Sequence, residues 1–227
     1  MELQDHFAAI SKTFDLDCVT VRYHPYAELK HTWKRYDSGL EFKVSDYLKG
    51  APDNVLESLA WYLLSRACHR DCPKEKAEPY LVHAYSEKLW QSHRDIYFSR
   101  TRSLFFGRGQ TRDLKEVFDY VNSYYFSSRI PDPTLAWSDE SPRTRLGYYF
   151  APLNLLVANK VLDSTNVPRY VLEFVVYHEL LHHIDRGGTN YSRRIHHTKS
   201  FRQTEALFSH FDDAERWLRK LVKEAKR

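Results

Sequence analysis

Glycine and cysteine are scarce in this 227-residue chain, with seven of the first, three of the second and a single methionine. So few glycines leave little material for a glycine-rich loop cradling phosphates. The three cysteines, Cys18, Cys68 and Cys72, are an odd and sparse set, and reduced free thiols are the expectation. Cys68-His69-Arg70-Asp71-Cys72 lacks the second cysteine pair that a structural zinc site brings. No stretch approaches the ~18 apolar residues of a membrane span. The opening MELQDHFAAISKTF carries acids where a signal peptide starts basic, and no apolar run follows. A cytoplasmic protein without a membrane partner is therefore expected. The net charge is also small, with 34 lysines and arginines against 30 acids. A net +4 permits contact with nucleic acid and supports it only weakly.

Aromatic residues are abundant instead: 16 tyrosines and 13 phenylalanines in a chain that is 42% hydrophobic. That is enough to build one large core or two small ones, and it excludes a disordered chain. In the second half, DLKEVFDYVNSYYF sets Leu114, Phe118, Val121 and Tyr125 on one helical stripe, with Asp113 as N-cap. PTLAWS, RLGYYF and NLLVA follow as short strand-like runs. Asn166-Val167-Pro168 then opens a helix that runs through RYVLEFVVYHELLHHI and stops at Gly187-Gly188. A long helical region is expected from about Ser200 to the end, carrying Phe201, Leu207, Phe208, Trp217, Leu218 and Leu221.

The first half repeats this order. Leu3, Phe7, Ile10 and Phe14 form a stripe like that from Leu114 onward. A gapless shift of 116 positions lays Val21–Arg70 on Trp137–Arg186, matching Leu40 with Leu156, Pro52 with Pro168 and Leu64 with Leu180. An internal duplication is expected, with 1–104 and 105–227 as its halves. The basic segment SRTRSLFFGRGQTRD, Ser99–Asp113, reads as the connection. Tyr62, Leu63 and Arg66 stand where the second copy has His178, Glu179 and His182, so the first half would carry no metal site.

HELLH, from His178 to His182, has the HExxH spacing. Its helix is apolar almost all round from Val171 to Leu181, which marks it as buried. Burying Glu and His without partners costs roughly 1–3 kcal/mol per polar group and more for a charge. A metal ion removes that difficulty. His178 and His182, four residues apart, share one face and can reach a single tetrahedral zinc. Glu179 lies beside them, able to reach a water at the metal without ligating it. A third ligand is still needed. The pattern HExxHxxGxxH is excluded by Asp185 and Gly188, which leaves Glu205 and the neighbours His196 and His197. Asp185 could accept a hydrogen bond from a ligand imidazole, though a surface aspartate ending a helix is the simpler reading. Glu205 and Tyr191 are weaker candidates for oxyanion or substrate contact, and Arg193-Arg194 could meet phosphate or nucleic acid, though such runs are usually solvated faces.

PRYVLEFVVYHELLHH followed by a loop and HTKSFR resembles the SprT-like zinc metallopeptidases, which pair HExxH with a later histidine four residues before an aromatic. The resemblance spans roughly Asp113–Phe208. It implies an α+β, zincin-like fold with a small sheet packed on the zinc helix. It makes His197, with Phe201 four on, the third zinc ligand, and Glu179 the general base of peptide-bond hydrolysis on a protein or peptide. The cysteine-rich ribbon that some relatives carry at the C-terminus is missing. Two other functions fit the motif: a nucleotide pyrophosphatase-like zinc hydrolase, and a zinc-stabilised interaction protein without activity.

Overall fold

The computed structural model describes residues 1–37, 39–101, 104–143, 145–185 and 197–225. The expected glycine stop at 187–188, together with Tyr191, Arg193, Arg194, His196 and the side chain of Asp185, lies outside the described residues. The chain is α+β and divides into two compact units, Met1–Thr101 and Arg102–Arg227, each with its own small sheet.

The first unit runs α1 (Leu3–Ser11), β1 (Val19–His24), β2 (His31–Tyr36), β3 (Gly39–Ser45), α2 (Asp53–Ala67), α3 (Lys74–Ala84), α4 (Glu87–Ser92) and α5 (Arg94–Arg100). Its sheet has the order β1-β3-β2, with β1 parallel and β2 antiparallel to the central β3. Leu40, Phe42 and Val44 alternate along β3 and are buried, as a strand with one face on the core requires. Helix α1 packs on β1 and α2, burying Leu3, Phe7 and Ile10, while Phe14 is buried just beyond its end. Helix α3 contains Pro79, which interrupts the ladder between Tyr80 and Lys76. The Ser58 hydroxyl of α2 fills the break, donating to the Lys76 carbonyl and accepting from the Tyr80 N–H.

The second unit runs β4 (Leu104–Phe106), α6 (Leu114–Phe126), β5 (Thr134–Ser138), β6 (Gly147–Phe150), β7 (Leu155–Asn159), α7 (Arg169–Asp185), α8 (Lys199–Glu205) and α9 (Phe211–Glu224). Its sheet order is β4-β5-β7-β6, with β5 parallel to β7 and β6 antiparallel to it. Every residue of β7 is buried. Its last residue, Asn159, is satisfied throughout, donating to the carbonyls of Glu140 and Arg145 and accepting from Val161 N–H. Helix α6 begins at Asp113, whose carboxylate accepts from Lys115 N–H.

The two units share one topology: helix, strand, antiparallel hairpin strand, central strand, helix. The parallel registers coincide under the 116-residue shift, since Val19 pairs with Leu40 and Leu135 with Leu156. The antiparallel registers do not. His31 faces Val44, whereas Gly147 faces Ala158, a slip of two residues. An even slip keeps each side chain on its original face. Opposite the central-strand residue that is Phe42 in the first unit and Ala158 in the second, the first has Trp33 and the second Gly147.

Two expectations need correction. Residues 99–113 are not a free basic connection. Leu104–Phe106 forms strand β4, antiparallel to β5, so the expected division after residue 104 cuts through an element of the second unit. Among the described residues there, Arg108 pairs with Asp113, and Arg112 donates to the carbonyls of Ser164 and Val167. The helix expected from Ser200 to the end is broken at 206–210. Phe208 turns inward against Phe174 and Tyr177, and Leu207 is left 72% exposed. Burying a full aromatic ring outweighs a few helical hydrogen bonds that water can replace.

In the first unit, Arg100 grips Asp46 with two parallel bonds of 2.7 and 2.8 Å and donates to the Tyr26 carbonyl. The Arg100 hydrogen bonds hold the Asp46 carboxyl below its usual pKa, against the opposing effect of burial. A depressed carboxylate contributes stability above the ordinary pKa of ~3.9 and loses it as pH falls through the lower folded value. Asp46→Asn is expected to lower stability at pH 7 by about 1.5–3 kcal/mol, because one strong charge-assisted pair is lost. Unfolding followed from pH 7 to below pH 3 should show the native protein falling toward the variant from about pH 4 downward, as acid protonates Asp46 and removes a pair the variant never had.

Candidate metal centre

Helix α7 is the innermost element of the second unit, packed by α6, α8, α9, β6 and β7. Val171, Leu172, Phe174, Val175, Val176, Tyr177, Leu180 and Leu181 are all buried along it. Helix α8 crosses near its end and is held there by three contacts. Phe201 is buried, the Tyr177 hydroxyl donates to the Thr204 carbonyl at 2.6 Å, and Thr198 caps the helix by accepting from Phe201 N–H. Burial pushes the Tyr177 hydroxyl up to about 12, so it stays a donor at neutral pH. His197 stands immediately before that cap, which delivers its ring to α7.

The result is a convergence of three imidazoles. His182 Nε2 lies 3.1 Å from His178 Nε2 and 3.3 Å from His197 Nε2. Among the described residues this trio is the one group of histidine, cysteine or carboxylate side chains gathered closely enough for a metal. A ring nitrogen has one in-plane site, either a lone pair or a proton. His182 Nε2 can therefore form a hydrogen bond with only one of its two neighbours, and the other contact sets like groups against each other. A cation that accepts lone pairs from all three removes the conflict. Bonds of ~2.0–2.1 Å at tetrahedral angles would put such nitrogens about 3.3 Å apart, close to the two distances from His182, and all three ligand atoms lie within 4.8 Å of one another. The donor set fits zinc.

Glu205 decides the tautomer of the first histidine. Its carboxylate accepts from His178 Nδ1 at 2.6 Å, so Nδ1 carries the proton and Nε2 is turned to its partners. Glu205, which the sequence left open as a third ligand, thus stands behind His178 and bonds its far nitrogen. Burial opposes charge on His178, but the Glu205 bond, with the nearby charges of Glu179, Glu205 and Glu215, outweighs it and raises its pKa. His197 is shifted the other way. Burial, together with the charges of His178 and Arg202, keeps it below its usual value and hence neutral, the form that ligates. Phe201 lies flat against two of the rings, its centroid 4.5 Å from His182 and 4.8 Å from His197. That wall is the physical content of an aromatic four residues after the histidine.

Glu179 sits on the other side of the cleft, where its Oε2 accepts from the backbone N–H of Tyr149 at 3.1 Å. Tyr149 belongs to β6, the edge strand, and its ring meets His183 edge-on at 4.9 Å. Gly147 opens β6 beside this carboxylate. A Cβ there would come within 2.7 Å of Val175 Cγ1, 3.1 Å of the Val157 carbonyl and 3.5 Å of Glu179 Cγ. In the first unit the corresponding surface is filled instead. Trp33 stands opposite Phe42, Arg66 donates to the Tyr62 hydroxyl at 2.9 Å, and the Tyr62 ring packs on Tyr80. Sequence reasoning had no signal for Tyr149, because a backbone N–H is carried by nearly every residue. Gly147 could have been noticed, as one of only seven glycines and one within a strand.

Compared with protein-family models, with curated proteins and with solved structures, the chain has no match. The three cysteines are free, Cys18 exposed and Cys68 and Cys72 half-buried. No described helix is long and apolar enough to cross a membrane.

Glu205→Gln keeps the shape of the orienting side chain but can present an amide where a proton acceptor is needed. Zinc affinity, measured by competition with a chromogenic chelator, is expected to fall about 10–100-fold. Unchanged affinity would mean that Glu205 does not orient the site.

Proposed function

We propose that the second unit is a zinc-dependent peptidase of zincin-like fold, similar to the SprT-like metallopeptidases. The observation that carries this reading is the meeting of three imidazole Nε2 atoms from two segments, with a carboxylate behind one and a second carboxylate, Glu179, alongside. His178, His182 and His197 would hold Zn²⁺. Bound there, zinc supplies Lewis acidity that polarises a carbonyl and lowers the pKa of water to ~7.

The remaining chemistry belongs to the chain. Glu179 takes the proton of the attacking water and returns it to the leaving amine, which requires a carboxylate held near the reacting atoms yet not consumed as a ligand. The Tyr149 N–H provides that restraint. Because β6 is an edge strand, it offers backbone partners to an extended peptide, the mode in which a substrate adds to a sheet. Among the described residues lining the cleft, Glu179, Glu205 and Glu215 face a single arginine, Arg202. An excess of carboxylates favours a peptide over a nucleoside triphosphate, whose phosphates call for cations. The first unit is read as a metal-free copy of the same fold, closed at the matching position by Trp33, Tyr62 and Arg66. A cytoplasmic setting accords with the free thiols.

Native protein is expected to contain one zinc per chain by elemental analysis, and His197→Ala to lose most of it. Glu179→Gln should retain the metal while peptide hydrolysis falls by at least ~10²–10⁴-fold. Nucleoside triphosphate cleavage without peptide cleavage would replace this reading with a pyrophosphatase. A fold lost on chelation, with Glu179→Gln indistinguishable from native, would replace it with a structural zinc site.

A further inference from the structure

The cavity that holds His178, Glu179 and His197 does not end at them. It has a volume of about 620 Å³, within the range of ligand sites, and its other wall is apolar. The helix repeat explains the continuity. Phe174 and Val175 lie four residues before His178 and Glu179, so they occupy the same stripes of α7 one turn, ~5.4 Å, nearer its start. Helix α9 supplies Phe211 and Leu218, seven residues apart and therefore on one face, and Leu146 closes the side next to Gly147. Phe174 is the fully buried floor, while Leu146, Phe211 and Leu218 are only half-buried and line the open part.

We infer that this apolar extension is a specificity subsite, which takes a bulky apolar side chain of the substrate residue flanking the scissile bond. The inference rests on the peptidase reading and names its substrate class. One helical turn is within reach of the side chain adjoining a carbonyl held beside His178 and Glu179. A leucine, methionine or phenylalanine there replaces water against Phe211 and Leu218, whereas alanine leaves those surfaces wet. Gly147 contributes by absence, since any side chain at that position would crowd Val175 and Glu179 at the join between the two regions. The preference for a large apolar side chain over alanine is expected to be about 10–100-fold, the range that filling a hydrophobic pocket gives.

The test uses the zinc-loaded full chain and two zinc-directed probes, acetohydroxamate and a hydroxamate carrying an isobutyl group next to the chelating head, titrated by calorimetry. The isobutyl probe should bind at least ~10-fold tighter to the native protein. Leu218→Asp on α9, and separately Leu146→Ser beside β6, should bring the two affinities together while zinc content and far-ultraviolet circular dichroism stay native. Cleavage sites mapped by mass spectrometry on an unfolded protein should be flanked by large apolar residues for the native chain and lose that bias in the variants. Equal binding of the two probes by the native chain overturns the subsite alone, as does discrimination that survives in both variants. A native chain that takes up no zinc overturns the peptidase reading and the subsite with it. Discrimination between the probes with no peptide cleaved overturns the peptidase reading and the substrate class built on it.

Discussion

A helix buried on nearly every side must find a partner for every polar group it carries, and this constraint organises the second unit. Helix α7 takes two histidines and a glutamate into a region lined by Phe174, Leu180, Phe201 and Phe208. Each polar group is answered differently: Glu205 accepts the proton of His178, the Tyr149 N–H is donated to Glu179, and His197 meets His182. His182 Nε2 has two imidazole neighbours and a single in-plane site to share between them. Around the three nitrogens, Glu205 and the Tyr149 N–H fix His178 and Glu179, and the three imidazoles converge on one another. A core histidine bonded to a backbone carbonyl lacks such a convergence, and a group of this kind could hold a metal ion.

The comparison between the units makes the same argument from the other direction. Both have a parallel pair flanked by an antiparallel strand, followed by a helix entered through proline. What distinguishes them is volume. Where Trp33 packs on Phe42, the second unit has Gly147 opposite Ala158, and where Arg66 closes on Tyr62, it has His182 and His178. The large, half-buried rings of Trp33 and Tyr62 cover this face in the first unit, and Gly147 leaves it open in the second. A two-residue slip of the edge strand accommodates the change without reversing which side chains face inward.

Much of this was legible in the chain, and for an identifiable reason. The stripe of α6, the three short strands and the proline entry of α7 are local patterns, set by side-chain period and capping within a dozen residues. The expected helix after residue 200 failed at 206–210 because the inward turn of Phe208 depends on rings from α6 and α7, which no local window contains. The stretch before Asp113 was misread for a related reason. A three-residue strand has no period to detect, and β4 exists only because β5 pairs with it.

For the site, the sequence by itself determined that His178 and His182 share a face and that Glu179 lies next to them, since helical geometry fixes both. It left Glu205, His196 and His197 as alternatives until a resemblance chose among them. The tertiary structure decided that Glu205 stands behind His178, that His197 arrives through the cap of α8, and that an edge-strand N–H holds Glu179. Spacing along one helix is a property of the chain, but the meeting of separate segments depends on how Phe201 and Tyr177 pack. Such contacts arise only when a core forms.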